Sequence, residues 1–199
     1  MTPHLVSPYA NGMSRQDAIL NLASLLKQDP DAGGEVEGDG LLMPDEAILE
    51  ADGLRLETPL EWHLSVRSTG GDDDYLVMGD VSGTAVQECR RCLTDVATTL
   101  RTDLVYPMAY KAGSGNLTLK ESEDEDDTLV FGKPEVDFAP LLAQVFAIDL
   151  PLTVLCKETC KGLSLDGVNL NDHPEHEAPV KAQQPESPFA VLKDLDLNN

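Results

Sequence analysis

YLVMGDVSGTAVQECRRCLTDVATTLRTDLVYPMAY, residues 75–110, is the stretch on which the fold turns. Its two flanks, residues 75–88 and 96–110, read as β-strands. In the second, Val96, Thr98, Leu100, Thr102, Leu104 and Tyr106 share one face, the two-residue period of a half-buried strand. Between the flanks stands Cys89-Arg-Arg-Cys92. This places two thiols at a hairpin tip, where a two-residue spacer lets backbone N–H groups turn towards the sulfurs.

A second pair, Cys156-Lys-Glu-Thr-Cys160, lies beyond residues 93–155. Two such pairs supply four soft ligands, the set that a tetrahedral zinc site requires. Zinc held by Cys89, Cys92, Cys156 and Cys160 would pin the hairpin tip to the distant segment. Such a site adds about 10 kcal/mol of coupled folding free energy. Two other readings stay open: thiols that lie close or form a reversible disulfide, and a CxxC redox sensor. No His or Asp stands at a spacing that would activate a catalytic thiol. His173-Pro-Glu-His176 could complete a mixed site but reads as a solvated pair, and His63 as an ordinary polar-face residue.

Outward from the hairpin, Leu54, Leu56, Leu60, Trp62, Leu64 and Val66 alternate with Arg55, Glu57, Glu61, His63 and Ser65. This is an antiparallel strand over residues 54–66, with Pro59 marking an edge position or a break. Gly70-Gly-Asp-Asp-Asp74 is a turn. Further upstream, Ser14 caps a predicted amphipathic helix through Ile19, Leu22, Ala23 and Leu26, stopped at Asp29-Pro30. Residues 33–40 read as a polar, glycine-rich connection. Downstream, residues 121–127 form an acidic run expected to be a solvated loop. A helix follows through Leu141, Leu142, Val145 and Phe146, with Asp137 as its cap and Leu150-Pro151 as its exit.

The chain has 199 residues and a formal net charge of −22. That suits one domain with appendages. No stretch is long and apolar enough to span a bilayer, and residues 1–12 lack the pattern of a secretory signal. Cysteines in such a chain point to a reducing cytoplasm. A surface this acidic repels phosphate backbones and favours a basic protein partner. Arg90, Arg91, Lys157 and Lys161 would gather if the cysteine loops meet, either offsetting thiolate charge or forming a small patch for phosphate. That patch lacks interleaved aromatics for base stacking.

Three segments together resemble the YceD-like family of large ribosomal RNA subunit accumulation proteins. They are Cys89-Arg-Arg-Cys92-Leu93 after an alternating strand; Leu150-Pro151 followed by Leu155-Cys156-Lys-Glu-Thr-Cys160-Lys161-Gly162-Leu163 and Asn169-Leu170-Asn171; and Ser187-Pro188-Phe189-Ala190-Val191-Leu192. The likeness covers roughly Leu54 to the C-terminus. It implies a cytoplasmic protein needed for normal levels of 23S ribosomal RNA, and no known catalytic residues. Cysteine-rich members look like they continue with two further cysteines where this chain has Ser164, Leu165, Asp166 and Gly167. If the family's ligands are that later pair, this chain has lost the site.

The expected fold is α+β: a twisted antiparallel sheet or small barrel, helices packed on one side, and a cysteine knuckle at one end. Residues 1–12 are expected to be a flexible tail, with Met13 as an alternative start. Residues 13–171 form the domain, and residues 172–199 a flexible tail carrying a short apolar element. That element, with Phe189, Val191 and Leu192, docks either on its own sheet or in a partner's groove. No Gly-rich phosphate loop, nucleophile elbow or paired-carboxylate frame argues for an enzyme or a small-molecule substrate. The leading expectation is a non-catalytic ribosome-biogenesis factor that binds a basic ribosomal protein or an RNA-processing nuclease. Direct binding of 23S ribosomal RNA precursor through the cysteine loops is the alternative.

Overall fold

A computed structural model describes residues 17–29, 32–71, 73–120 and 127–177. The elements are β1 (Ile19–Asn21), β2 (Glu35–Leu42), α1 (Glu46–Ala51), β3 (Leu60–Ser68), β4 (Asp74–Glu88), β5 (Asp95–Tyr110), β6 (Thr118–Lys120), β7 (Thr128–Phe131), β8 (Glu135–Asp137) and α2 (Ala139–Asp149). The 15-residue β4 and 16-residue β5 form the hairpin read from the sequence, in register from Asp74↔Ala109 to Glu88↔Asp95. It is the spine of a six-stranded sheet ordered β2-β3-β4-β5-β7-β6.

One face of this sheet is the core face. Leu60, Trp62, Leu64 and Val66 of β3 meet Val77 and Val81 of β4 and Leu104 and Met108 of β5 there. Over them lie the two-stranded β1–β8 sheet and α2, whose Leu142 and Phe146 are fully buried. The N-cap of helix α2 is Phe138, one residue after the expected Asp137, whose carboxylate nonetheless accepts the Ala139 N–H at 2.9 Å. Thr102 of β5 donates to the Asp149 carboxylate at the far end of α2, at 2.9 Å. The opposite sheet face presents Glu35, Glu37, Asp39, Glu61, His63, Arg67, Arg101 and Asp103 to solvent. This two-layer division follows from the alternation of side-chain direction along each strand, although Ser65 on the outer face of β3 is also buried.

Several expectations need correction. The sheet is neither wholly antiparallel nor a barrel. β7 joins β5 in parallel through Met108↔Leu129 to Tyr110↔Phe131, leaving an open mixed sheet. The helical content among the described residues is small, with 11 residues in α2 and six in α1. The expected helix near Ile19 is a strand followed by a short 3-10 turn at Leu25–Lys27. β1 pairs with β8 through Ile19↔Asp137 and Asn21↔Glu135, so Ala18, Leu20 and Leu22 point inward at alternate positions.

The glycine-rich connection at residues 33–40 is largely strand β2, paired with β3 from Glu35↔Arg67 to Leu42↔Leu60. Gly38 lets Leu20 approach there: a Cβ would run into the Leu20 Cδ2, so any larger residue would make Leu20 shift. The strand expected over residues 54–66 begins only at Leu60. Pro59 is therefore the break and not an edge marker, since β3 lies between β2 and β4. Leu56 instead makes an isolated antiparallel bridge with Ala85, and Val86 N–H bonds the Arg55 carbonyl at 2.8 Å.

Part of the expected C-terminal tail is structured: residues 172–177 contain a 3-10 turn at Pro174–His176. Ser14, the acidic residues 121–126 and the apolar element with Phe189, Val191 and Leu192 lie outside the described residues. Among the described residues, no helix is long and apolar enough to cross a membrane.

Candidate metal centre

At the far end of the β4–β5 hairpin the chain closes a tight turn. Cys89 N–H bonds the Thr94 carbonyl at 2.8 Å, and Leu93 N–H bonds the Cys89 carbonyl at 2.9 Å. Leu93 takes a left-handed conformation, φ 59°, to complete it. The second loop leaves α2 at Leu150-Pro151 and docks on this turn through backbone groups. Val154 bridges Cys89 in parallel, and Arg90 N–H donates to the Val154 carbonyl at 2.9 Å. Gln87 Nε2 holds the Pro151 carbonyl at 2.9 Å.

This docking brings the four cysteine sulfurs within 4.8 Å of one another. The Cys89–Cys160 separation is 3.9 Å and the Cys92–Cys156 separation 3.5 Å. A tetrahedron of thiolates about 2.3 Å from zinc has edges of about 3.8 Å, whereas a disulfide would need about 2.05 Å. Donor type, number and spacing therefore all fit a structural zinc, and the site needs none of the positions held by Ser164, Leu165, Asp166 and Gly167. His173 and His176 pair with each other at 6.1 Å between ring centroids and stand apart from the thiol cluster.

The surroundings also favour the thiolates of Cys89 and Cys160. Backbone N–H groups of Cys156, then Arg91 and Cys92, point at the Cys89 sulfur and pull its pKa down to about 6. Asn171 Nδ2 donates to Cys160 Sγ at 3.3 Å, and with the Gly162 N–H it lowers that thiol too. Cys156 moves the other way, up to about 12, because its sulfur is desolvated and shares hydrogen bonds with three other thiols. Without a cation, four sulfurs this close cannot all ionise. A divalent metal binds them as thiolates.

Arg91, expected as a cation of the basic patch, is instead a positioning residue. Its guanidinium Nη1 donates to the Glu158 carbonyl at 3.3 Å and the Cys160 carbonyl at 2.9 Å, stapling one loop to the other. Gly162, at φ 81°, passes so near the turn that a Cβ would stand 3.1 Å from the Arg91 carbonyl oxygen. Asn171 completes the second loop by accepting the Lys161 N–H at 3.0 Å. Lys161 itself pairs with Glu177 at 3.2 Å. Of the four basic residues expected to gather, Arg91 and Lys161 thus have partners within the chain, although both stay exposed. Arg90 and Lys157 remain exposed, with no side-chain partner among the described residues.

Replacing Arg91 by alanine leaves two carbonyls without their charged donor. Bonds of this kind contribute about 1.5–3 kcal/mol each when shielded and less at this half-exposed position. The expected result is an intact sheet with several-fold faster metal release to a chelator, partly restored in Arg91→Lys. Chelator-competition kinetics on the zinc-loaded chain measure this.

Fold and site together define a two-layer sheet-and-helix protein tied at one end by a four-thiol knuckle. Residues 77–196, more than half of the chain, match the family described as large ribosomal RNA subunit accumulation protein YceD, and the chain belongs to that family. A protein of Mycobacterium leprae (strain TN), described as uncharacterized, is 30% identical over 122 residues, 59% of this chain and 54% of that relative. The chain thus spans about half the length of the curated relative it matches. No solved structure matches it.

Proposed function

We propose that this chain is a non-catalytic cytoplasmic factor that promotes accumulation of 23S ribosomal RNA by binding a basic protein, either a ribosomal protein or an RNA-processing nuclease. The zinc is structural in this reading, and the cysteine corner is a rigid platform. The family description supports the biological process. The kind of partner is carried by one observation: Arg91 and Lys161 are spent on internal contacts. All four cations are exposed, but only Arg90 and Lys157 have no side-chain partner among the described residues, on a chain of net charge −22.

RNA affinity scales with the number of phosphates neutralised, and two cations beside an acidic body supply little. Phe189, Val191 and Leu192 would add an apolar anchor to the protein contact. Affinity purification of the full chain from cells, after in-cell crosslinking, should recover basic ribosomal proteins or a processing nuclease. Recovery of neither would overturn the reading.

Direct RNA binding predicts the opposite pattern in a gel shift with large-subunit precursor fragments. It requires a shift at about 150 mM salt that Arg90→Ala/Lys157→Ala abolishes. The protein-partner reading expects no such salt-stable shift from wild type or variant.

A further inference from the structure

We propose that the free edge of β5, from Ala97 to Val105, accepts an extended basic segment of the partner as an added strand. The inference rests on the protein-partner reading above and assigns it a surface. Pairing parity locates the edge. The β4–β5 ladder is bracketed by two bonds of one register, Cys89 N–H to Thr94 and Tyr110 N–H to Asp73. In an antiparallel ladder, bonded and non-bonded pairs alternate. Val96, Thr98, Leu100, Thr102, Leu104 and Tyr106 therefore bond to β4.

The N–H and C=O groups of Ala97, Thr99, Arg101, Asp103 and Val105 point the other way. β7 covers that side only at Met108–Tyr110. Among the described residues, no backbone group pairs with the edge between residues 95 and 107. The five side chains at these positions are exposed. Pro107, which has no N–H to offer, sits where β7 takes over.

Isolated edges are normally guarded by lysine, proline or a covering element. The stretch from Asp95 to Tyr106 contains no lysine, and its single arginine, Arg101, is paired to Asp80 at 2.8 Å. Carboxylates flank the edge on both faces, Asp103 on one and Asp149, bonded to Thr102, on the other; Asp95 at its start is already paired with Arg55 at 2.8 Å. Apolar surface lies alongside: Val105 is 61% exposed, and Ile148, next to Asp149, is 69% exposed. A strand alternating cationic and apolar residues matches this border. Strand addition supplies affinity through the backbone and specificity through alternate side chains.

Amide hydrogen exchange of the full zinc-loaded chain tests this, alone and with a synthetic octapeptide alternating Lys or Arg with Val. Alone, the amides of Ala97, Thr99, Arg101, Asp103 and Val105 should exchange at least tenfold faster than those of Thr98, Leu100, Thr102 and Leu104. The peptide should slow the first set, and an acidic octapeptide should not. Thr99→Pro removes an outward N–H and keeps the backbone bonds to β4 while losing the Thr84–Thr99 hydroxyl contact. It should weaken peptide binding at least tenfold, whereas Thr99→Val, which loses only that contact, should not. Asp103→Lys/Asp149→Lys, which leaves the backbone intact, should weaken it similarly.

Slow exchange of both sets in the free chain would mean the edge is already covered, by residues 187–192 or by a second copy, and would overturn the inference. So would peptide protection elsewhere. If purification recovers basic proteins while the edge stays unprotected, this inference fails and the protein-partner reading stands. If purification recovers none, that reading fails whatever the peptide does.

Discussion

Cys92→Ser/Cys156→Ser is expected to lose its metal and to unravel the loop behind α2 while leaving the sheet folded. Residues 151–171 contain no regular helix or strand. Ordering such a segment costs about 1–2 kcal/mol per residue in backbone entropy alone. Its apolar support is a cluster of Cys89, Cys92 and Cys160, with Val96 and Leu163 packed against it, separate from the main core. So small a cluster does not offset that entropy, and the stapling bonds to Val154, Glu158 and Cys160 contribute only about 1 kcal/mol or so each. A four-thiolate zinc, at about 10 kcal/mol, is the largest single contribution that holds the segment in place.

Removing one ligand from each loop should abolish stoichiometric zinc binding. Limited proteolysis should then cut at residues 151–171, with strand amides of β3 and β4 still slow to exchange. A variant that keeps the loop protected with no metal would show that hydrogen bonds suffice.

Phe146→Ala is expected to destabilise the whole domain by about 3–5 kcal/mol, the range for a large aromatic removed from a packed core. Phe146 is fully buried, and its ring tip lies close to the backbone of Gly83 on β4. Because α2 runs directly into Leu150-Pro151 and the second cysteine loop, lost packing also loosens the approach of Cys156 and Cys160 to Cys89. Chemical denaturation should report the global loss, and chelator competition a faster zinc release. Stability loss with unchanged metal kinetics would mean the knuckle holds itself together independently of α2.

The β4–β5 hairpin and the thiol site were legible because both are written in short-range spacing. A period of two over about fifteen residues has no helical alternative, and two cysteine pairs of metal spacing are rare by chance. The first strand was not legible. Ile19, Leu22, Ala23 and Leu26 satisfy helical spacing, while Ala18, Leu20 and Leu22 satisfy alternation, and only pairing with β8, over a hundred residues away, selects between them. Gly38 read as linker because what it accommodates, the Leu20 side chain, comes from another element. The parallel union of β5 with β7 is likewise non-local.

Within the site, Arg91 looked like surface charge because its acceptors are backbone carbonyls, which sequence does not mark. Asn171 stood in a recognised Asn-Leu-Asn motif, but nothing in the motif indicates that its amide reaches a cysteine sulfur.

X-ray absorption at the zinc edge of the full chain, purified under reducing conditions without added metal, tests most directly whether the two loops share one ion. The expected spectrum shows one zinc per chain with four sulfur neighbours at about 2.3 Å. A chain that carries no zinc, or a zinc shell built of nitrogen and oxygen, would contradict it.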